Sequence, residues 1–248
     1  MNEEETYYRN ESVIEKFIEY KRKYGIFKSL KKVYLFIRDK FVSLFLNFKK
    51  QEYFYFNNKL PYFYHKYNKA WKSERTIEIP IFRMFIKENI GKDLLEIGNV
   101  INHYYPFNHL VLDKYEKAEG VINEDILGFK TKKKFDFIFS ISTFEHIGID
   151  DYPKNPEKAV LALKYVLKNL LKKNGLFVLS FPLNYNKAIK EMIDKKRIKN
   201  FKMYCFKKID MKRNFWKEAD YPEIRNIEYK QPVEEVIFLI LNKNTTIK

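Results

Sequence analysis

The chain has one cysteine, Cys205, and only four histidines in 248 residues. A single thiol forms no internal disulfide, so a disulfide-stapled secreted scaffold and a multi-cysteine zinc site are both excluded. No run approaches the roughly 18 uncharged apolar residues that a membrane span needs. The densest stretch, Val33 to Phe48, is interrupted by Arg38, Asp39 and Lys40. The first residues, MNEEETYYRNE, are acidic and carry no hydrophobic signal region. Internal repeats and low-complexity segments are also missing. These absences set the expectation of a soluble, cytoplasmic protein.

What is present is charge and apolar mass. Lys and Arg number 48 against 32 Asp and Glu, a net charge of +16, and 46% of residues are hydrophobic. That is enough to bury a sizeable core, in one large domain or one domain with an added arm. The basic excess points to an anionic partner such as nucleic acid or a membrane surface. It also fits a background rich in Lys, Ile, Asn, Phe and Tyr, as AT-rich genomes encode, and Lys/Glu enrichment accompanies growth at high temperature. The background reading carries more weight.

The pattern divides the chain into an N-terminal helical, basic and aromatic arm (residues 1–73) and an α/β domain (74–248). Residues 11–50 read as helix, with Ile26, Leu30, Val33, Ile37, Phe41, Leu44 and Phe48 at spacings of three and four. Lys28, Lys31, Lys32, Lys40, Lys49 and Lys50 fall largely on the remaining surface. Such a helix either attaches peripherally to a membrane or packs on the protein's own core, the commoner use of this pattern. Residues 51–73 are dense in aromatics. They suit a lid or sugar-stacking surface, or, in the reading we favour, packing against the main domain. Pro80 is expected to open a helix, since proline suits the first turn.

From residue 92 strands and helices alternate. Strands are expected at 93–98, 109–116, 121–126, 134–142, 176–182 and 234–242. An amphipathic helix is expected at 155–175, stopped by Gly175. A further helix and the strand FKMYCF are expected within 187–218. Alternation of this kind implies a parallel sheet covered on both faces.

In such sheets ligands bind beyond the carboxyl ends of the strands. The residues there are Glu96 to Asn99, Asp113, Asp125 with Ile126, Ser140 to His146, and Pro182 to Asn186. Acidic groups close the first three strands. That suits a ligand with an ammonium, a ribose diol and an adenine amino group, and suits a polyphosphate poorly.

Residues 92–186 resemble a class I S-adenosylmethionine-dependent methyltransferase. LLEIG resembles the family's first motif, VLDKYE the second, NEDI the third and FDFIFSISTFEHIG the fourth, with LKKNGLFVLSFP as the usual turn and fifth strand. The resemblance implies a Rossmann-like fold with a mostly parallel seven-stranded sheet. It implies S-adenosyl-L-methionine as cofactor, held by Glu96, Gly98, Asn99, Asp113, Asp125, Ile126 and Ser140. Asp113 would chelate the ribose hydroxyls, and Asp125 with the Ile126 amide would read adenine. The chain departs from the family in its first turn, where GNVINHYY keeps only Gly98, with Asn99 and Asn102 where further glycines are common. The interval from Glu96 to Asp113 is short and contains Pro106, so the first crossover helix must be short or irregular.

The thin turn argues against a nicotinamide dehydrogenase, which needs G-x-G-x-x-G after its first strand. SISTFEH stands where nucleic-acid amino-methyltransferases carry Asn/Asp-Pro-Pro-aromatic, so nucleic acid is disfavoured as a partner. Cys205, in a strand-like run, reads as core rather than as a nucleophile. The expected acceptor is a small molecule methylated on oxygen or nitrogen, with a sugar or glycolipid precursor as one example. His146 is the candidate general base, as its ordinary pKa lies close to neutral pH. Asp150 or Asp151 would orient it or serve in its place. Capping of the loop by His146, and a plain turn at the two aspartates, are the structural alternatives. A binding or scaffold protein that kept the fold without turnover is the competing function, motivated by the single glycine.

Overall fold

The structure is a computed structural model that describes residue 18 and residues 21–48, 51–55 and 58–248. The helix expected from residue 11 is described as α1 (Ile26–Phe48), after helical residues 21–24 and a break at Gly25. Its expected start, Lys49 and Lys50 lie outside the described residues. A hairpin follows, β1 (Glu52–Tyr55) and β2 (Asn58–Pro61), then α2 (Arg75–Glu88). The α/β part runs β3 (Leu94–Ile97), β4 (Leu110–Leu112), β5 (Val121–Ile122), β6 (Phe135–Ile141), α3 (Glu157–Tyr165) and β7 (Leu171–Phe181). It continues with α4 (Lys187–Asp194), β8 (Ile198–Lys199), β9 (Lys202–Asp210), β10 (Phe215–Ala219), α5 (Tyr221–Ile224), β11 (Glu235–Asn242) and β12 (Thr246–Ile247).

The main sheet has the order β10-β9-β11-β7-β6-β3-β4-β5. β5, β4, β3, β6 and β7 are mutually parallel, and β11 runs antiparallel between β7 and β9. The mostly parallel sheet expected from the resemblance is present. It has eight strands rather than seven, because β10 adds an antiparallel edge to β9.

Two apolar layers cover the sheet. One packs α3 and α4 against Leu95, Ile138, Phe177, Leu179 and Ile237. The other packs α2 and the tyrosines of the aromatic segment against Phe137, Phe139, Val178 and Phe238. Alternate residues within each strand thus go to opposite layers, as the pleat requires.

Several boundaries differ from expectation for identifiable reasons. α2 starts five residues before Pro80, which sits inside it. Proline has no N–H to offer the carbonyl of Thr76. The Phe63 N–H donates to that carbonyl instead, at 2.9 Å, and Tyr53 Oη donates to the next one, Ile77 O, at 2.7 Å. The aromatic segment therefore docks where proline leaves the helix unsatisfied. The helix expected to end at Gly175 ends near Leu170, after a π-type turn over Val166–Leu170. Leu171 pairs with Phe135, and a Cβ at Gly175 would lie 2.9 Å from Phe135 O, so that glycine serves close strand approach. β4 and β5 are much shorter than expected. A single 3-10 turn, Ile101–His103, replaces the first crossover helix, in keeping with the short interval around Pro106.

Candidate functional site: a cleft at the carboxyl ends of the strands

The sheet changes winding direction between β3 and β6, and a cleft of about 1190 Å³ opens at their carboxyl ends. Its wall includes Gly98, Asp113, Asp125, Ile126, His146 and Asp150. Glu96, Asn99 and Ser140 do not line it.

Glu96 is fully buried and spent on the protein itself. Its Oε1 accepts the N–H groups of Val100 and Ile101, at 2.9 and 2.8 Å, and its Oε2 lies 2.8 Å from His109 Nε2. It braces the turn. Gly98 has φ +90°, and a Cβ there would meet Thr143 Oγ1 at 2.3 Å. Any side chain would be both strained and excluded. Asn99 donates its N–H to Asp113 Oδ2 and its amide to Glu116 Oε1, at 3.1 and 2.7 Å. Ser140 Oγ donates to Ile97 O at 2.8 Å, tying β6 to β3.

Asp113 lines the cleft while holding its own loop: Oδ1 accepts the N–H groups of Tyr115 and Glu116, each at 2.8 Å. Glu116 and His103 also line the wall, with His103 Nε2 3.0 Å from Glu116 Oε1 and Tyr67 stacked on His103 at 4.3 Å between ring centroids. These three residues were not singled out from sequence. Glu116 was within reach, since it closes the VLDKYE motif that carries Asp113.

At the far wall, two lysines sit among the acids. Lys158 Nζ is 2.5 Å from Asp125 Oδ2 and also bonds Asp151. Lys114 Nζ is 2.5 Å from Asp151 Oδ1 and 3.3 Å from Asp125 Oδ2, and Tyr115 Oη donates to Asp151. Burial pushes the Asp125 carboxyl up. Its bonds to the Lys158 ammonium, the Leu127 N–H and Lys114 outweigh that and hold it below the usual carboxylate range. For Asp151, too, burial is outweighed by Lys114, Lys158 and Tyr115, and its carboxyl lies well below that range. Asp125 thus faces a ligand already paired with cations.

The remaining end is built around His146. Its Nδ1 lies 2.7 Å from Asp150 Oδ2, and Tyr185 donates to Asp150 Oδ1 at 3.3 Å, with its ring 4.5 Å from the imidazole. An ionised carboxylate only accepts, so this contact favours the tautomer with its proton on Nδ1, which in the neutral ring leaves Nε2 as the acceptor. Beside it, Glu145 is fully buried, its Oε1 3.7 Å from His146 Nε2. Burial raises the Glu145 carboxyl well above its ordinary value. Behind this corner lie more buried polar groups. Arg75 pairs with Glu78 at 2.5 Å, and Glu78 accepts from Ser142 and Ser180, each at 2.6 Å. The Nε of Arg75, Tyr104 Oη, one oxygen each of Glu74 and Glu145, and the Asn184 amide nitrogen have no hydrogen-bond partner among the described residues. Cys205 is buried in β9, and burial pushes its thiol up to about 12, so it is no nucleophile.

The described residues hold no cluster of three or more His, Cys, Asp or Glu side chains arranged for a metal ion. Comparison with protein-family models finds no match, and comparison with curated proteins finds none. Among solved structures, one similar chain is a possible histamine N-methyltransferase from Thermotoga maritima: 16% identity, 71% of this chain and 94% of that one, TM-score 0.40. Another is the N-methyltransferase NodS from Bradyrhizobium japonicum with S-adenosyl-L-homocysteine: 12% identity, 67% and 85%, TM-score 0.38. A third is coclaurine N-methyltransferase, at 20% identity and TM-score 0.28. There the match covers 42% of this chain, and the chain spans about a third of the length of that enzyme.

The fold is a Rossmann-like α/β fold, with the mostly parallel sheet that the resemblance to class I methyltransferases implies: five parallel strands wound outward from β3 and β6, then an antiparallel β11 inserted between β7 and β9. Similarity at these identities and scores adds nothing about activity.

Proposed function

We propose that the cleft binds S-adenosyl-L-methionine and transfers its methyl group to a nitrogen or oxygen of a small polar acceptor. The observation that carries this reading is that one cleft is lined by all the groups the reaction needs. Asp113 and Glu116 suit a ribose diol, Asp125 with the Ile126 backbone suits an adenine edge, and the His146–Asp150 pair stands on the same wall. The volume exceeds what a nucleoside-sized ligand needs and leaves room for an acceptor beside it.

The cofactor supplies an electrophilic methyl carbon on a sulfonium. The chain must align the acceptor in line with it and take up the acceptor's proton. His146 Nε2 receives that proton, while Asp150 holds the ring's tautomer and stabilises the imidazolium that results. Hydroxyl, imidazole and carboxylate groups of Tyr67, Thr143, His146 and Asp150 on the cleft wall suit an acceptor rich in hydroxyl and amino groups, such as a sugar or a glycolipid precursor.

Titration calorimetry with S-adenosylhomocysteine tests the reading. Binding is expected, weakened by Asp113→Asn, with His146→Ala leaving affinity nearly intact and lowering turnover roughly 10²–10⁴-fold. No heat and no thermal shift at millimolar ligand would instead favour a binding or scaffold protein that kept the fold. The pairing of Asp125 with Lys114 and Lys158 favours that second reading.

A further inference from the structure

The long helix α1 is the feature that the cleft does not use. On a helical projection Val33, Ile26, Leu44, Ile37, Leu30, Phe41, Tyr34 and Phe27 fall within one arc of about 120°. All of them are exposed: Phe27 is 85% accessible, Phe41 69%, Tyr34 65%, Leu44 58% and Leu30 53%. The described α1 side chains with reduced exposure are Ser29, Leu35 and Val42, which lie away from that arc. A soluble surface rarely leaves so long an apolar stripe in water, so the stripe marks a docking face.

The charge identifies what docks. Residues 21–48 hold eight Lys and Arg against one Asp. Lys31 lies beside one border of the arc, Lys28 falls on the opposite face, and Lys21, Arg22 and Lys23 precede the helix, all described as exposed. A second copy of this helix would bring like charges together, whereas an anionic lipid surface attracts them. No described helix is long and apolar enough to cross a membrane. We infer that α1 lies in the interface of an anionic bilayer, its Phe27–Leu44 arc among the acyl chains and its lysines at the headgroups. This surface is separate from the cleft, and the inference stands whether or not the cleft transfers methyl groups.

The test uses the full chain and two sets of large vesicles, phosphatidylcholine alone and phosphatidylcholine with about a third phosphatidylserine. Co-sedimentation should be at least about tenfold stronger on the anionic vesicles and fall steeply between about 0.1 and 0.5 M salt. The Leu30→Ser/Phe41→Ser variant should lose binding with its melting temperature unchanged, and Lys28→Glu/Lys31→Glu should lose the preference for phosphatidylserine. Equal sedimentation on both vesicles overturns the inference, as does binding that survives Leu30→Ser/Phe41→Ser. A fall in that variant's melting temperature would mean that the arc packs within the protein. A concentration-dependent dimer dissolved by the same variant, seen in sedimentation equilibrium, would name a second copy as the occupant. Either result also overturns the inference.

Discussion

The two halves of the N-terminal arm are both rich in aromatic residues, yet they end in opposite environments. In the hairpin and the chain after it, Tyr53, Tyr55, Tyr62 and Tyr64 are all at least nine-tenths buried. In α1 Phe27, Leu30, Tyr34, Phe41 and Leu44 stand in water. Apolar content does not separate the halves, but polar complementarity does. Tyr53 Oη finds Ile77 O, the Phe63 N–H finds the carbonyl freed by Pro80, and Tyr62 Oη both donates to Trp216 O, at 3.1 Å, and accepts from Trp216 N, at 2.8 Å. Tyr53, Tyr62 and Tyr64 bury their rings with their hydroxyls hydrogen-bonded, which offsets the cost of burying them. The aromatic segment is thus fixed to α2 and β10 by these bonds, and it covers that face of the sheet beside α2.

Substitutions can break this contrast. Tyr53→Ala should be the most damaging, costing about 3–5 kcal/mol by removing a large buried ring, as read by chemical denaturation. A loss under about 1 kcal/mol would mean that the hairpin is only loosely attached.

The second prediction uses pH to separate the packed body from the arm. Glu235 is buried beside β7, where it accepts the Leu183 N–H at 2.9 Å, and burial pushes its carboxyl up to about 7 from 4.5. The folded state therefore holds a proton that the unfolded chain releases, and stability should fall as pH rises from about 4.5 through 7. The total should be of order 3 kcal/mol. Glu74 and Glu145 are raised by burial and act in the same direction. Thermal melts between pH 5 and 8 should show the decline, and Glu235→Gln should flatten it. A melting temperature that rises over this range would contradict the burial of these acids.

A smaller effect is expected for Tyr62→Phe, which keeps the ring but strands the Trp216 N–H and carbonyl, at about 1–3 kcal/mol. The smallest belongs to α1. Phe41→Ser should change folding stability by no more than about 0.5 kcal/mol. A larger loss would erase the distinction between the two halves.

Much of the strand pattern was legible because buried parallel strands read as short apolar runs ending at polar residues. DLLEIG, KFDFIFSIS and EEVIFLILN are such runs, and β3, β6 and β11 lie within them. The acidic residues at strand ends were legible for the same reason. Which of them face the cleft was not. Glu96 and Asp113 both lie near the carboxyl ends of neighbouring strands, but Glu96 is still inside β3, opposite Val111, where His109 and two backbone N–H groups hold it. The lysines that occupy Asp125 come from residues 114 and 158, and the hydroxyls that hold Glu78 come from Ser142 and Ser180. Such partners share no local pattern.

By itself, then, the sequence determined the order of the main parallel strands and of β11, the amphipathic face of α1 and the set of groups available to the site, since each depends on periodicity or on chain neighbours. Tertiary structure alone decided that a proline-containing helix could be completed by a tyrosine hairpin. It also decided that the face of α1 stays open to solvent, and which carboxylates are spent inside the fold. Those outcomes depend on how separate elements meet, which periodicity within a segment does not record.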